Sequence, residues 1–393
     1  MLDYEKLLAK RVREIPPSGI RRFFTLAAEQ PDVISLSVGE PDFPTPAAAR
    51  AAAVDLIENG STRYTANAGM TELREEVARY LTRFDLHYDP MTELFLTVGG
   101  SEAIDIAMRA LIEPDDEVIV VEPCFVCYAP LAEMYHAKVV HLATKAENGF
   151  AVTPEELRAV LTEKTKLLVL PFPSNPTGGI MTREQLEAIA EVLRGTNVIV
   201  LSDEIYAELT YNGLLHASIA AIEGMRERTL VVSGFSKMFA MTGWRLGYLC
   251  GPAPLLSQML KIHQYAIMCA PTMSQVAALE GLRSCREDID RMREEYDFRR
   301  RMVVGRLNAM GLDTFEPRGA FYCFPCIRSS GMTSEEFCLH LLREKGVAIV
   351  PGSAFGESGE GFARIAYSYS REHLETALDR IEAFLREIGA AHA

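Results

Sequence analysis

The chain has little that would tie it to a membrane or a nucleic acid, and nothing that marks it for export. Its 393 residues carry 40 Lys and Arg against 54 Asp and Glu, a formal charge of -14, with the two signs interspersed. No basic stripe is left to neutralise a phosphate backbone, so nucleic-acid binding is excluded. Long apolar runs are missing too: "DEVIVVEPCFVCYAPLAEMY" is broken by Glu122, Pro123 and Pro130, well short of a membrane span. The first residues, "MLDYEKLLAKRVREIPPSGIRRFF", mix both charges and lack the apolar segment and cleavage site of a signal peptide, so a cytoplasmic setting is expected. Eight cysteines in so long a chain without such a signal are expected to stay reduced. Two C-x-x-C pairs, Cys124/Cys127 and Cys323/Cys326, lie too far apart for a zinc ribbon and sit among apolar and aromatic neighbours. They are read as buried thiols, with no metal. Internal repeats and low-complexity linkers are absent.

What is present is an ordinary globular composition, 48% hydrophobic and 24% charged. Short β-branched runs recur through the middle: "ELFLTV", "EVIVV", "AKVVHL", "KLLVLPF", "NVIVLS", "TLVVSGF" and "GYLCG". Between most of them lie amphipathic stretches with helical spacing and capping residues, such as "SEAIDIAMRALI" and "TREQLEAIAEVLRG". This alternation predicts an α/β fold, with a mostly parallel sheet in a large domain and helices on both of its faces. The C-terminal third reads as a long charged helix, three short strands and a closing amphipathic helix. The expected division is a large domain over residues 47–283 and a smaller α/β domain built from residues 1–46 and 284–393.

Ligands of open parallel sheets bind beyond the C-terminal ends of the strands, so the residues after each apolar run carry the chemistry. After "ELFLTV" come Gly99, Gly100, Ser101 and Glu102 opening a helix, a phosphate cradle made of free N–H groups and a helix dipole. After "KLLVLPF" comes Asn175 in a Pro-flanked turn, and after "NVIVLS" come Asp203 and Tyr206. "TLVVSGF" delivers Ser236 and Lys237. A buried strand-end carboxylate needs a cationic partner. Cradle, amide, carboxylate with phenol, and amine together suit a phosphorylated aromatic aldehyde with a protonated ring nitrogen, pyridoxal 5'-phosphate.

The motifs "VGEPDFPTP", "RYTANAGMTELRE", "TVGGSEAI", "EPCFVCYAP", "PSNPTGG", "LSDEIYAEL" and "SGFSKMFAMTGWRLG" occur in this order over nearly the whole chain. In this the chain resembles the fold-type I, class I/II aminotransferases. The resemblance implies transfer of an amino group from an L-amino acid to a 2-oxo acid, with 2-oxoglutarate expected as acceptor, through a Schiff base of the cofactor on Lys237. It further implies that Asp203 pairs with the pyridinium N–H, that Tyr206 and Asn175 hydrogen-bond the phenolic oxygen, and that Phe125 stacks on the ring. Gly100, Ser101, Glu102, Ser236 and Arg245 would surround the phosphate, and Tyr64 would reach it from the second subunit of a homodimer. Arg364 would bind the substrate carboxylate beside Gly39, and Asn175 would share in substrate binding. Trp244 is read as a packing aromatic.

Two positions depart from the family pattern. Gly234 stands where many relatives have a phosphate-binding serine, and uncharged Ser101 stands where some aspartate-specific relatives have a basic residue. The phrasing of the motifs looks most like a bacterial group acting on aromatic, aspartate-like or acylated diaminopimelate substrates. Ile20, Phe23, Phe24, Tyr322 and the "QYAIMCAPTMSQ" segment are either core or the walls of a substrate side-chain pocket. The alternative reaction is C–S β-elimination, which the same residues can serve.

Overall fold

The computed structural model describes residues 2–17, 19, 25 and 32–390. Its centre is a seven-stranded sheet formed by β2 (Leu94–Thr97), β3 (Glu117–Glu122), β4 (Lys138–Ala143), β5 (Thr165–Leu170), β6 (Ile199–Asp203), β7 (Thr229–Gly234) and β8 (Gly247–Cys250). The two-residue β1 (Ile34–Ser35) precedes them and lies outside this sheet. The strand order is β2-β8-β7-β6-β5-β3-β4, parallel throughout except for β8, which runs antiparallel to both β7 and β2. Two antiparallel steps restore direction, so the C-terminal ends of β2, β3, β5, β6 and β7 open on one edge.

Alternation along each strand explains why both faces are covered. Val118, Val120, Leu167, Val169, Leu201 and Val232 point to one side, against helices Gly99–Leu111, Tyr128–Met134 and Ala253–Ala266. Ile119, Val121, Leu168, Leu170 and Val200 point to the other, against helices Pro154–Val160 and Arg183–Leu193. Each such side chain taken from water contributes about 1.5–3 kcal/mol, which is why the strands read as continuous apolar runs and not as alternating ones. The "TREQ" start behaves as its sequence requires: Thr182 and Gln185 form a reciprocal capping box on the Arg183–Leu193 helix. "SEAI" does not cap. Its helix begins at Gly99, whose φ is +75°, and Glu102 reaches back to accept from the Val98 N–H.

Beyond the sheet, the 24-residue helix Arg286–Ala309 leads to β9 (Tyr322–Cys323), β10 (Val347–Ala348), β11 (Val350–Pro351) and β12 (Ala363–Ala366), followed by the helix Arg371–Glu387. β12 lies between β11 and β9, antiparallel to both. β1 pairs in parallel with β10, which ties the N-terminal segment to the C-terminal one.

Candidate active site

A cavity of about 630 Å³ opens at the sheet edge where the strand ends converge. Gly39, Gly100, Ser101, Phe125, Asn175, Asp203, Tyr206, Ser236, Lys237, Arg245 and Arg364 all line it. Eleven residues from seven stretches of chain therefore meet as the sequence reading expects.

Lys237 sits on the one-turn helix Phe235–Met238 that follows β7, and its Nζ donates to the Gly39 carbonyl at 2.7 Å. Burial lowers its pKa to about 8, against the pull of Glu40, while Arg364 and Arg245 add to the depression. Such an amine is neutral in about a tenth of the molecules at pH 7 and in about half at pH 8. Asp203, at the end of β6, is raised to about 6 by burial. Two donors hold its carboxylate and restrain that rise: Tyr128 Oη at 2.7 Å and the Ile205 N–H at 3.1 Å.

The end of the cavity at the start of the Gly99–Leu111 helix is made by close packing. Gly99 lies against the guanidinium of Arg245, and a β-carbon there would stand 2.6 Å from an Arg245 nitrogen. Arg245 adopts φ +51° and donates to the Thr242 carbonyl at 3.0 Å, which turns it back over the first turn of the Gly99–Leu111 helix. That turn carries N–H groups with no partner inside the helix. Gly234 is extended, and a β-carbon on it would lie 2.7 Å from the Cα of Gly247 and 2.9 Å from the Leu246 carbonyl oxygen. No serine fits there without displacing that backbone, and Ser236 and Thr242 are the hydroxyl-bearing residues that this stretch places along the cavity.

At the opposite end Arg364 is 2% exposed. It donates to Asn175 Oδ1 at 2.9 Å and to the Ser37 carbonyl, and lies over the rings of Tyr322 and Phe355. Among the described residues its Nε has no partner and no carboxylate pairs with it. Leaving a buried charge unpaired costs several kcal/mol (about 3–5), so this guanidinium is built to receive an anion.

Some expectations need correction. Glu102 is not among the residues that line the cavity: its carboxylate accepts from the Val98 N–H, capping the helix start, and meets His263 Nδ1 at 2.8 Å. Tyr64, expected to serve a second subunit and not its own, is 81% exposed and outside the cavity of its own chain, which needs no correction. "QYAIMCAPTMSQ" does not line it either. Tyr265, Ile267 and Met268 are exposed, while Pro271, Met273 and Ser274 border a neighbouring apolar groove with Trp244 and Arg245. Tyr322 does line the cavity, whereas Ile20, Phe23 and Phe24 lie outside the described residues. Trp244 packs against the core, and its Nε1 donates to Thr45 at 3.0 Å. All eight cysteines carry free thiols, and burial drives the Cys124 and Cys127 thiols well above their usual range.

Sequence reasoning missed Tyr128 and Glu40. The only signal for Tyr128 was its place one helical turn after Phe125. Glu40 lay inside a recognised motif, next to Gly39, with nothing to show that it borders Lys237.

A chain with these strand ends, this cavity and this sheet order matches the class I and II aminotransferase family over residues 31–381. It belongs to that family and is a transaminase by class. An aspartate aminotransferase of Pyrococcus abyssi is 44% identical, with 97% of this chain and 98% of the other covered. The crystal structure of an aromatic aminotransferase from Pyrococcus horikoshii superposes with a TM-score of 0.90 at 41% identity, covering 95% of this chain and 100% of the other. The aspartate aminotransferase of Thermus thermophilus with maleate superposes at 0.91 and 36% identity, covering 96% and 99%. Among the described residues no helix is long and apolar enough to cross a membrane, and no group of metal-ligating side chains is assembled.

Proposed function

We propose that the protein moves the amino group of an L-amino acid to a 2-oxo acid, 2-oxoglutarate among them, with pyridoxal 5'-phosphate seated in the cavity and bonded to Lys237. The observation that carries this is Arg364, a buried guanidinium with no carboxylate partner among the described residues, in the same cavity as Lys237 and Asp203. The residues fit the cofactor on three counts: an anion cradle at Gly99–Ser101 with Arg245, a buried carboxylate at Asp203, and an amine of depressed pKa.

When bound, the cofactor supplies an aldehyde for an amine and a protonated ring that accepts electrons from the adjacent carbon. The chain supplies the rest. Arg364 takes the substrate carboxylate through charge-assisted hydrogen bonds, worth about 1.5–3 kcal/mol each. Lys237 Nζ, neutral in a sizeable fraction, accepts the α-carbon proton and returns it on the far side of the reaction. Asp203, steadied by Tyr128, keeps a negative charge where a ring N–H would need one. Tyr206 and Asn175 offer hydrogen bonds to a phenolic oxygen, and Phe125 offers a stacking face. A second copy of the chain brings Tyr64 to the phosphate, and the free thiols support a reducing, cytoplasmic setting.

The test is the visible spectrum of the protein supplied with pyridoxal 5'-phosphate, beside Lys237→Ala, as single amino acids are added without acceptor. A band present only with Lys237, which an amino acid discharges and 2-oxoglutarate then restores while glutamate accumulates, is the expected result. Absence of the band refutes the role of Lys237. Pyruvate released without any acceptor would point to β-elimination instead.

A further inference from the structure

Tyr322 is joined to three functional groups at once. It lies on β9, whose register with β12 sets Tyr322 opposite Ala366. Residues two apart on a strand share a face, so Arg364 and Tyr322 are diagonal neighbours on the same side. The Arg364 guanidinium sits 4.6 Å from the Tyr322 ring centroid. At its other end the Tyr322 hydroxyl lies 2.8 Å from the Tyr206 hydroxyl, with both side chains buried. The third neighbour is Gly39, where a β-carbon would stand 2.1 Å from the Tyr322 Oη. The backbone that receives the Lys237 amine is therefore pressed against the same hydroxyl.

Each phenol has one proton to donate, and the Tyr206–Tyr322 bond can run either way. A cation near Tyr322 makes that phenol the stronger acid and the better donor, and it favours the arrangement with the hydroxyl hydrogen turned away from the guanidinium. The charged and titratable groups acting on Tyr322 are Arg364, Tyr206 and Glu40; those acting on Tyr206 are Tyr322, Arg364 and Asp203. Two cations face the pair: Arg364 lies 4.6 Å from the Tyr322 ring centroid and the Lys237 amine 5.8 Å from that of Tyr206, so the nearer and permanently charged guanidinium acts more strongly on Tyr322, while Asp203 makes Tyr206 the poorer donor. Tyr206 then accepts from Tyr322, and its own hydrogen is free to point into the cavity. We infer that Tyr322 is a positioning residue: under the field of Arg364 it aims the Tyr206 hydroxyl hydrogen into the cavity, and it relaxes that aim when a carboxylate neutralises Arg364. Binding of the substrate carboxylate is thereby felt at Tyr206 without contact between them. The inference rests on the reading of the cavity given above.

The experiment is a pH titration of the visible band of the full-length, cofactor-loaded protein. It compares wild type with Tyr206→Phe, Tyr322→Phe, Arg364→Leu and the double variant Tyr322→Phe/Arg364→Leu, with melting curves to confirm folding. Losing the aim weakens one hydrogen bond to the chromophore, so the Tyr322→Phe midpoint moves upward by about half a pH unit, less than that of Tyr206→Phe. Arg364→Leu also raises the midpoint, and its effect is smaller in the Tyr322→Phe background by about 0.4 pH unit or more. Should Tyr322→Phe not fold, Gly39→Ala displaces the same hydroxyl and shifts the midpoint in the same direction. A Tyr322→Phe midpoint equal to wild type beside a displaced Tyr206→Phe overturns the inference alone, as does strict additivity with Arg364→Leu. A wild type with no band, or a Tyr206→Phe midpoint equal to wild type, overturns the reading of the cavity.

Discussion

Asp203 is a carboxylate that the fold holds against its own stability. Its pKa rises from 3.8 to about 6 because it is buried. The folded chain thus binds this proton more tightly than the unfolded one, and stability falls as pH climbs from about 4 to 6. Above that window the lost stability amounts to about 3 kcal/mol. Asp203→Asn is expected to melt higher than wild type at about pH 8 when cofactor-free, with the advantage gone below about pH 4, while its affinity for pyridoxal 5'-phosphate drops. Calorimetry at the two pH values checks this, and a lower melting temperature at pH 8 would contradict it. Tyr128→Phe removes one of the two donors on the carboxylate. The pH at which cofactor binding sets in should then move upward, read from absorbance at graded pH.

At the scale of elements, the site depends on backbones that meet without side chains between them. Gly99 is left-handed and abuts Arg245, and Gly247 lies so close to Gly99 that a β-carbon would come within 2.7 Å of the Gly99 carbonyl carbon. Gly99→Ala is therefore strained in its own φ and pushes the Arg245 guanidinium aside. Affinity for pyridoxal 5'-phosphate should fall at least about tenfold, a loss of about 1.4 kcal/mol, with little change for unphosphorylated pyridoxal. An equal loss for both ligands would place the damage elsewhere. The contrast between Lys237 and Tyr128 shows what sequence makes legible. Lys237, Ser236, Asp203 and Asn175 follow apolar runs in fixed order, and a parallel sheet brings all such ends to one edge. Tyr128 belongs to the site only because its hydroxyl spans 75 residues of chain to reach Asp203, a distance no periodicity records. Glu102 sat in a phosphate motif, and only the backbone shows that Gly99 starts the helix early enough for Glu102 to cap it. The antiparallel placing of β8 was equally hidden, since its apolar run reads like any other.

For the whole molecule, Tyr64 is exposed, and beside the cavity lies an apolar groove bordered by Val54, Ile57, Trp244 and Met273. If a second copy supplies Tyr64, two defective chains can repair each other. Tyr64→Ala and Lys237→Ala, unfolded together and refolded as a mixture, should regain about a quarter of the wild-type sites, because half of random pairs are mixed and each mixed pair holds one intact site. Activity no greater than the sum of the two separate variants would show that each chain works alone.

The lone Nε of Arg364 has a consequence at the bench. If this guanidinium takes the substrate carboxylate, as proposed, the pocket does not distinguish sharply between an amino acid and the small carboxylate of a buffer salt. Acetate, formate and propionate should compete for it, raising the apparent KM for every amino acid while leaving kcat alone, and protecting the chain modestly against heat. Specificity constants gathered in different buffers will therefore disagree for reasons unconnected with the substrates being ranked, and Hepes or another bulky zwitterion is the medium in which the ranking will hold.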